Sequence, residues 1–179
     1  MSRRVLAAVL TSNRKIVGNY FGRTLDISTG NANIEGDYVA LDSLKLSTAN
    51  AEISGTFTGK SISARTSNGP LCGSFSVASS LDLTTSNSPI LVDVRLVADE
   101  STPPLLDQKK SKLIGNIVKS RVVSSNAKIN ISFDQPAGVQ LDSEVKTSNA
   151  AIISRHGSNF GGKFVVSFSS SSFACVANP

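Results

Sequence analysis

Aligned on its recurrent asparagines, the chain presents the same order of apolar and polar positions many times over. Six positions before the asparagine stand Ala7, Leu25, Leu44, Ile62 and Leu81, and four before it Val9, Ile27, Leu46, Ala64, Leu83, Val122 and Val145. Three after it come Ile16, Ile34, Ile53, Leu71, Ile90, Ile129 and Ile152, and seven after it Tyr20, Tyr38, Phe57, Phe75, Val94 and Phe133. Polar residues fill the columns between: Asp26, Lys45, Ser63 and Asp82 in one, and Asn19, Asp37, Thr56, Ser74 and Asp93 in another. Alternation at a period of two is the pattern of strands. Each repeat therefore predicts a strand, a turn at the asparagine, a second strand and a variable corner.

The turn phrase reads Thr-x-Asn-x-x-Ile/Leu-x-Gly. It fills residues 11–18, 29–36, 48–55 and 66–73, and weaker copies start at Thr85, Ser124 and Thr147. Its asparagines are Asn13, Asn31, Asn50, Asn68, Asn87, Asn126 and Asn149, and the first four spacings are 18, 19, 18 and 19 residues. One such unit cannot bury its own apolar face, so copies must stack into continuous columns. The pattern predicts an all-β, single-stranded parallel β-solenoid (a β-helix) of about seven to nine coils, each of about 18–20 residues. Right-handed coiling follows from the preference of parallel crossovers, and three strands of roughly 4–5 residues account for one coil.

Stacking predicts three ladders: asparagines at the turn, the Ile/Leu column in the core, and the aromatic column Tyr20, Tyr38, Phe57, Phe75 and Phe133. Asparagine tolerates the left-handed geometry of a tight turn, and stacked amides bond along the ladder. The threonines two before each asparagine face inward by parity, with hydroxyls available to neighbouring coils. The glycine column, five after the asparagine, is read as leaving room for the aromatic two positions later.

A single domain, 1–179, is expected. Regular coils fill 5–98. Residues 98–111 (ADESTPPLLDQKKS) hold two prolines and a charge cluster and read as a loop excursion. Less regular coils follow over 112–168, starting with a degenerate coil in which 112–117 echoes 15–20. That echo matches the 39 residues between Asn87 and Asn126, about two periods. A longer corner forms at Gln135, Pro136, Ala137 and Gly138, the phrase 160–164 reads as a terminal Ile-x-Gly-x-Phe half-repeat, and 169–179 as a tail or cap.

Composition adds little chemistry. Apolar residues make up 40% of the 179, with 6% aromatic and no tryptophan, which suits thin aliphatic columns better than a thick globule. The formal net charge is +5, yet the cations are scattered apart from Arg3-Arg4 and Lys109, Lys110 and Lys112. Neither group is interleaved with aromatics, so no specific nucleic-acid signal emerges. The apolar run 5–10 is too short for a signal peptide and lies in register with the first coil. No segment has the length and apolarity of a membrane span. Cys72, in an outward column, and Cys175 lie far apart and indicate no disulfide framework, and the sequence leaves a single bridge between the two open.

The Thr-Ser-Asn phrase with Leu-x-Leu/Ile ahead of it, carried best by 62–75 and 81–94, resembles an adhesin-type domain family of unknown function from bacteria and fungi. The resemblance spans roughly 5–168. It implies a parallel β-solenoid with a surface or adhesion role, often displayed at the cell surface beside a membrane anchor, though no anchor is visible in this chain. A looser resemblance, through coil length, links it to bactofilins, cytoskeletal β-solenoid polymers.

Catalytic chemistry is sparse. Acids in the outward columns are interrupted, so no two carboxylates reach the separation that glycoside hydrolysis needs unless loops supply one. Asp26 beside Lys45 reads as a surface pair. His156 is the only histidine and stands in the aromatic column, where a structural imidazole is the simpler reading than a general base. No zinc or calcium ligand spacing occurs, and the mixed residues outside the threonines deny a flat ice-binding array. The expected function is non-enzymatic, with no catalytic, cofactor or metal site: a structural or adhesion-type solenoid acting through its surface or by end-to-end association. The partner would be a second copy or a cell-surface or glycan ligand. The rival is a carbohydrate-binding or carbohydrate-active β-helix. The first coil, lacking a polar cap, is expected to stack on another molecule or lie under the C-terminal segment.

Overall fold

The computed structural model describes residues 6–99, 105–107, 112–114, 116–169 and 173–177. Arg3, Arg4, Lys109 and Lys110 lie outside them. The strands are β1 (Leu6–Thr11), β2 (Ile16–Thr29), β3 (Ile34–Ser47), β4 (Ile53–Arg65), β5 (Leu71–Thr85), β6 (Ile90–Leu96) and β7 (Leu105–Asp107). They continue with β8 (Lys112–Ile114), β9 (Ile117–Ser124), β10 (Ile129–Asp134), β11 (Gln140–Thr147), β12 (Ile152–His156), β13 (Gly162–Phe168) and β14 (Phe173–Ala177). No helix occurs among the described residues. Apart from the β7–β8 hairpin, all strands pair in parallel and stack into a β-solenoid of about eight turns.

Two ladders run the length of the stack. Residues before each asparagine pair in the order β1, β2, β3, β4, β5, β9, β11, β13. Residues after it pair in the order β2, β3, β4, β5, β6, β10, β12, β14. In the regular coils one bent strand runs from turn to turn, so a coil has one tight turn and one corner instead of three separate strands. The corner is where register slips, between Gly22 and Thr24, Ala40 and Ser43, and Gly59 and Ser61.

The columns fill the core as the alternation requires. Leu25, Ile34, Leu44, Ile53, Leu71, Ile90, Ile129 and Ile152 are buried, with Ile16 closing the first coil. Tyr20, Tyr38, Phe57 and Phe75 form a continuous ring ladder with centroids 5.3, 5.8 and 4.7 Å apart. Val94 interrupts it before Phe133. Such ring contacts add about 0.5–1.5 kcal/mol each beyond their burial.

Six hydrogen bonds join the asparagines in one direction, each Nδ2 donating to the Oδ1 one coil earlier: Asn31 to Asn13, Asn50 to Asn31, Asn68 to Asn50, Asn87 to Asn68, Asn126 to Asn87 and Asn149 to Asn126, at 2.6–2.8 Å. Inside the same turn the buried Thr29, Thr48, Thr66 and Thr147 donate to carbonyls of the preceding coil at 3.3–3.4 Å.

Four expectations change. The glycine column does not serve the ring. At Gly18 an added Cβ would only touch Tyr20, but at Gly36, Gly55 and Gly73 (φ 137°, 140° and 127°) it would strike the carbonyl oxygen of the glycine one coil earlier. Glycine is required there by backbone on backbone.

The degenerate coil at 112–117 does not exist. Asn126 bonds Asn87 directly, β10 lies on β6, and β9 lies on the second half of β5. Strand β6 ends at Leu96, Val97 still donates to the Val77 carbonyl at 2.8 Å, and after the antiparallel β7–β8 hairpin the chain is back on the stack at Asn116, whose Nδ2 donates to the Ala78 carbonyl at 2.7 Å. The excursion thus extends past 111 and takes Lys112 with it.

The phrase 160–164 is not a terminal half-repeat after the turn. Gly162–Phe168 pairs with β11, in the ladder before the asparagine. The expected tail contributes a rung, since Phe173–Ala177 pairs with β12. It lies at the opposite end of the stack from β1 and cannot cover the first coil.

Equilibrium denaturation should rank three substitutions. Asn68→Ala removes two ladder bonds and should cost about 1–2 kcal/mol. Ile53→Ala, fully buried, should cost about 2–5 kcal/mol. Gly55→Ala should exceed Asn68→Ala, because neither backbone can give way.

Candidate functional site

The outer faces are built from alternate residues of each rung, and several of their carboxylates meet a cation of a neighbouring rung. Asp26 meets Lys45 at 3.6 Å, Arg23 meets Asp42 at 3.1 Å, and Asp82 lies between Arg65 at 2.6 Å and Arg121 at 3.5 Å. These exposed pairs contribute little stability.

One patch departs from this. The excursion removes a rung from the sequence count and brings β10 onto β6, setting Ser132 beside Asp93 and Asp134 beside Arg95. Asp93 and Asp134 therefore lie diagonally on adjacent rungs. A rung spacing of ~4.8 Å and a rise of ~3.3 Å per residue put their Cα atoms about 8 Å apart. They line a shallow hollow of about 270 Å³ with Ser74, Arg95 and Ser132. Beside it Arg155 donates to Asn130 at 2.6 Å. Sequence reasoning missed this acid pair because it counted two periods between Asn87 and Asn126. The intact Asn126 phrase, with no asparagine between, was the available signal.

The interior of the last coils is the second departure. In the column six before the asparagine, Leu25, Leu44, Ile62 and Leu81 give way to Ser120 and Ser143, which pair on adjacent rungs. Five after it, the column ends in Ser154. His156 follows in the aromatic column, 6% exposed, stacked on Phe133 at 5.4 Å and edged by Phe160 and Phe164 at 4.7 and 4.4 Å. Ser154 Oγ lies 3.0 Å from His156 Nε2. The Nδ1 atom and the hydroxyls of Ser120 and Ser143 are buried without partners. Burial holds the imidazole below its ordinary pKa, and the packed rings around it leave no room for a substrate to reach it. Gln135 closes the corner, donating to the carbonyls of Val139 at 2.5 Å and Gly161 at 2.8 Å.

Cys72 is a half-buried free thiol between Ser54 and Leu91. Burial raises its pKa, and the charge and hydrogen bond of Glu52 raise it further, so it is a poor nucleophile. Cys175 pairs with Ser154 near the other end of the stack. Among the described residues no group of three or more His, Cys, Asp or Glu side chains is arranged to hold a metal. No described helix is long and apolar enough to cross a membrane. Comparison with protein-family models, curated proteins and solved structures finds no match for this chain.

Iodoacetamide should alkylate Cys72 more slowly than free cysteine at pH 7.5, as followed by mass spectrometry of its peptide. Glu52→Gln should accelerate the reaction without restoring the free-thiol rate, because burial is the larger cause.

Proposed function

We propose that this chain is a non-enzymatic structural or adhesion-type β-solenoid that works through its surface and by joining end to end with further copies. The distribution of charge over the rungs carries this reading. Every solenoid strand from β2 to β13 holds at least one charged residue, whereas β1, the first half of β2 (16–22) and β14 hold none. The outermost rungs together contain a single charge, Lys163 on β13. Charges on edge strands are the usual protection against pairing with another chain; the N-terminal edge strands lack them and the C-terminal ones keep only Lys163.

Exposed apolar side chains follow the same distribution. Six of the ten large ones among the described residues belong to the end coils, and the three most exposed, Leu10 (72%), Val17 (57%) and Phe21 (73%), are all in the first. Phe160, Val165 and Phe168 belong to the last. Continuing the register across a junction sets Val166 against Val9, Phe164 against Ala7 and Phe173 against Ile16 of the next copy. That contact is heterologous and open, so it extends into filaments instead of closing into a dimer.

The Asp93–Asp134 diagonal favours a second reading, a carbohydrate-active face. Two exposed carboxylates on one face of adjacent rungs, beside a hollow, are the pair of groups that acid–base hydrolysis of a glycoside requires.

Analytical ultracentrifugation should show concentration-dependent growth of the wild type. Leu10→Glu and Val165→Glu should each be monomeric alone and should form only dimers when mixed, each contributing its unblocked end. A strictly monomeric wild type would remove the joining role. Turnover of a polysaccharide that is lost in both Asp93→Asn and Asp134→Asn would replace the non-enzymatic reading with the second.

A further inference from the structure

We propose that His156 is an acid-sensitive latch whose protonation opens the last coils, β11 to β14, while the coils from β2 to β6 stay closed. The buried cluster carries the inference. His156 sits in a column that other coils fill with Tyr38, Phe57, Phe75 and Phe133, and only in these late coils do Ser120, Ser143 and Ser154 take core positions away from the threonines of the turn. A protonated imidazole donates from both nitrogens, and Ser154 can serve only Nε2. Nδ1 has no partner.

No charged side chain faces the ring from the elements packed against it. Phe133 on β10, Ser154 on β12, Phe160 in the corner and Phe164 on β13 face the ring. The charged residues on the elements around it are Asp134, Asp142, Glu144, Lys146, Arg155 and Lys163, and all six are exposed on the outer surface. A buried cation without a partner is expensive, and opening the coil is the available relief.

Opening stays local because each rung of a solenoid contacts only its neighbours. The N-terminal rungs hold Leu25, Leu44, Ile62 and Leu81 where the late ones hold Ser120 and Ser143, so the polar interior marks the weak end. The sign follows from burial. The folded imidazole titrates below its ordinary value, so the closed coils bind fewer protons than the open ones. Stability contributed by the neutral ring is complete above about pH 6.5 and is lost as pH falls below it. On the end-joining reading above, which this consequence alone rests on, acid withdraws the C-terminal end from use.

Hydrogen exchange on the whole chain tests the latch at the level of the monomer. With one proton taken up per opening and the open-state imidazole at its ordinary value of about 6.5, the opening constant of peptides within 140–169 should rise up to about fivefold from pH 6.5 to 5.5, after correction for intrinsic exchange. Peptides within 16–96 should not change. His156→Phe, which installs the residue of the neighbouring coils, should abolish the acid sensitivity. Since the chain has one histidine, its ring resonance is also unambiguous and should titrate only as the late coils open. A flat wild-type profile, acid sensitivity retained in His156→Phe, or opening spread evenly over both halves would overturn the proposal. Ultracentrifugation at both pH values separates the two ideas. A wild type that never associates leaves the latch standing, and association that ignores pH removes its control of joining.

Discussion

Each rung must repeat the backbone of the rung before it, and the rest of the structure follows from that constraint. It is tightest at the turn. There the asparagine amides bond in one direction, the threonine hydroxyls reach carbonyls one coil back, and glycine backbones approach too closely for a Cβ. Nothing can be inserted at that edge without breaking all three. The opposite corner makes no comparable demand. Every irregularity falls there: the register slips at Gly22, Ala40 and Gly59, the excursion after β6, the Gln135–Gly138 bend and the 157–161 loop. A solenoid with one rigid edge and one elastic corner tolerates an excursion because closing a longer loop costs only slightly more than closing a short one.

This asymmetry explains what the sequence made legible. Strand alternation and the Thr-x-Asn phrase are local, and they identified the columns, the ladder and the stack. Which copy rests on which is a long-range matter. The stretch 112–117 looks like 15–20, but likeness of six residues cannot say whether a chain has rejoined the stack. The pairing of Ser80 with Lys119 decides it. Gly162 has the positive φ of the glycine column and yet pairs in the other ladder. The Asp93–Asp134 patch was hidden by the same miscount, since adjacency across rungs depends on how many coils intervene.

The properties that distinguish this chain lie in how its ends differ from its middle. The inner rungs carry alternating charges that meet their neighbours in weak pairs, and those pairs discourage misregistered contacts more than they add stability. At both ends that protection falls away, to nothing at the first and to Lys163 alone at the last.

The two ends are nevertheless unequal. The first coil joins an apolar exterior to an aliphatic and aromatic interior, so its edge is firm whether or not it is covered. The last coils set the exposed Phe160, Val165 and Phe168 over a core that holds Ser120, Ser143, Ser154 and His156, so their edge exists only while the late rungs stay closed. Under nearest-neighbour energetics, a firm edge laid against a weak one stabilises the weak one, because the joined rung gains a second neighbour. On the proposed reading, joining and late-coil folding are therefore one equilibrium, and a single buried imidazole is enough to bias both.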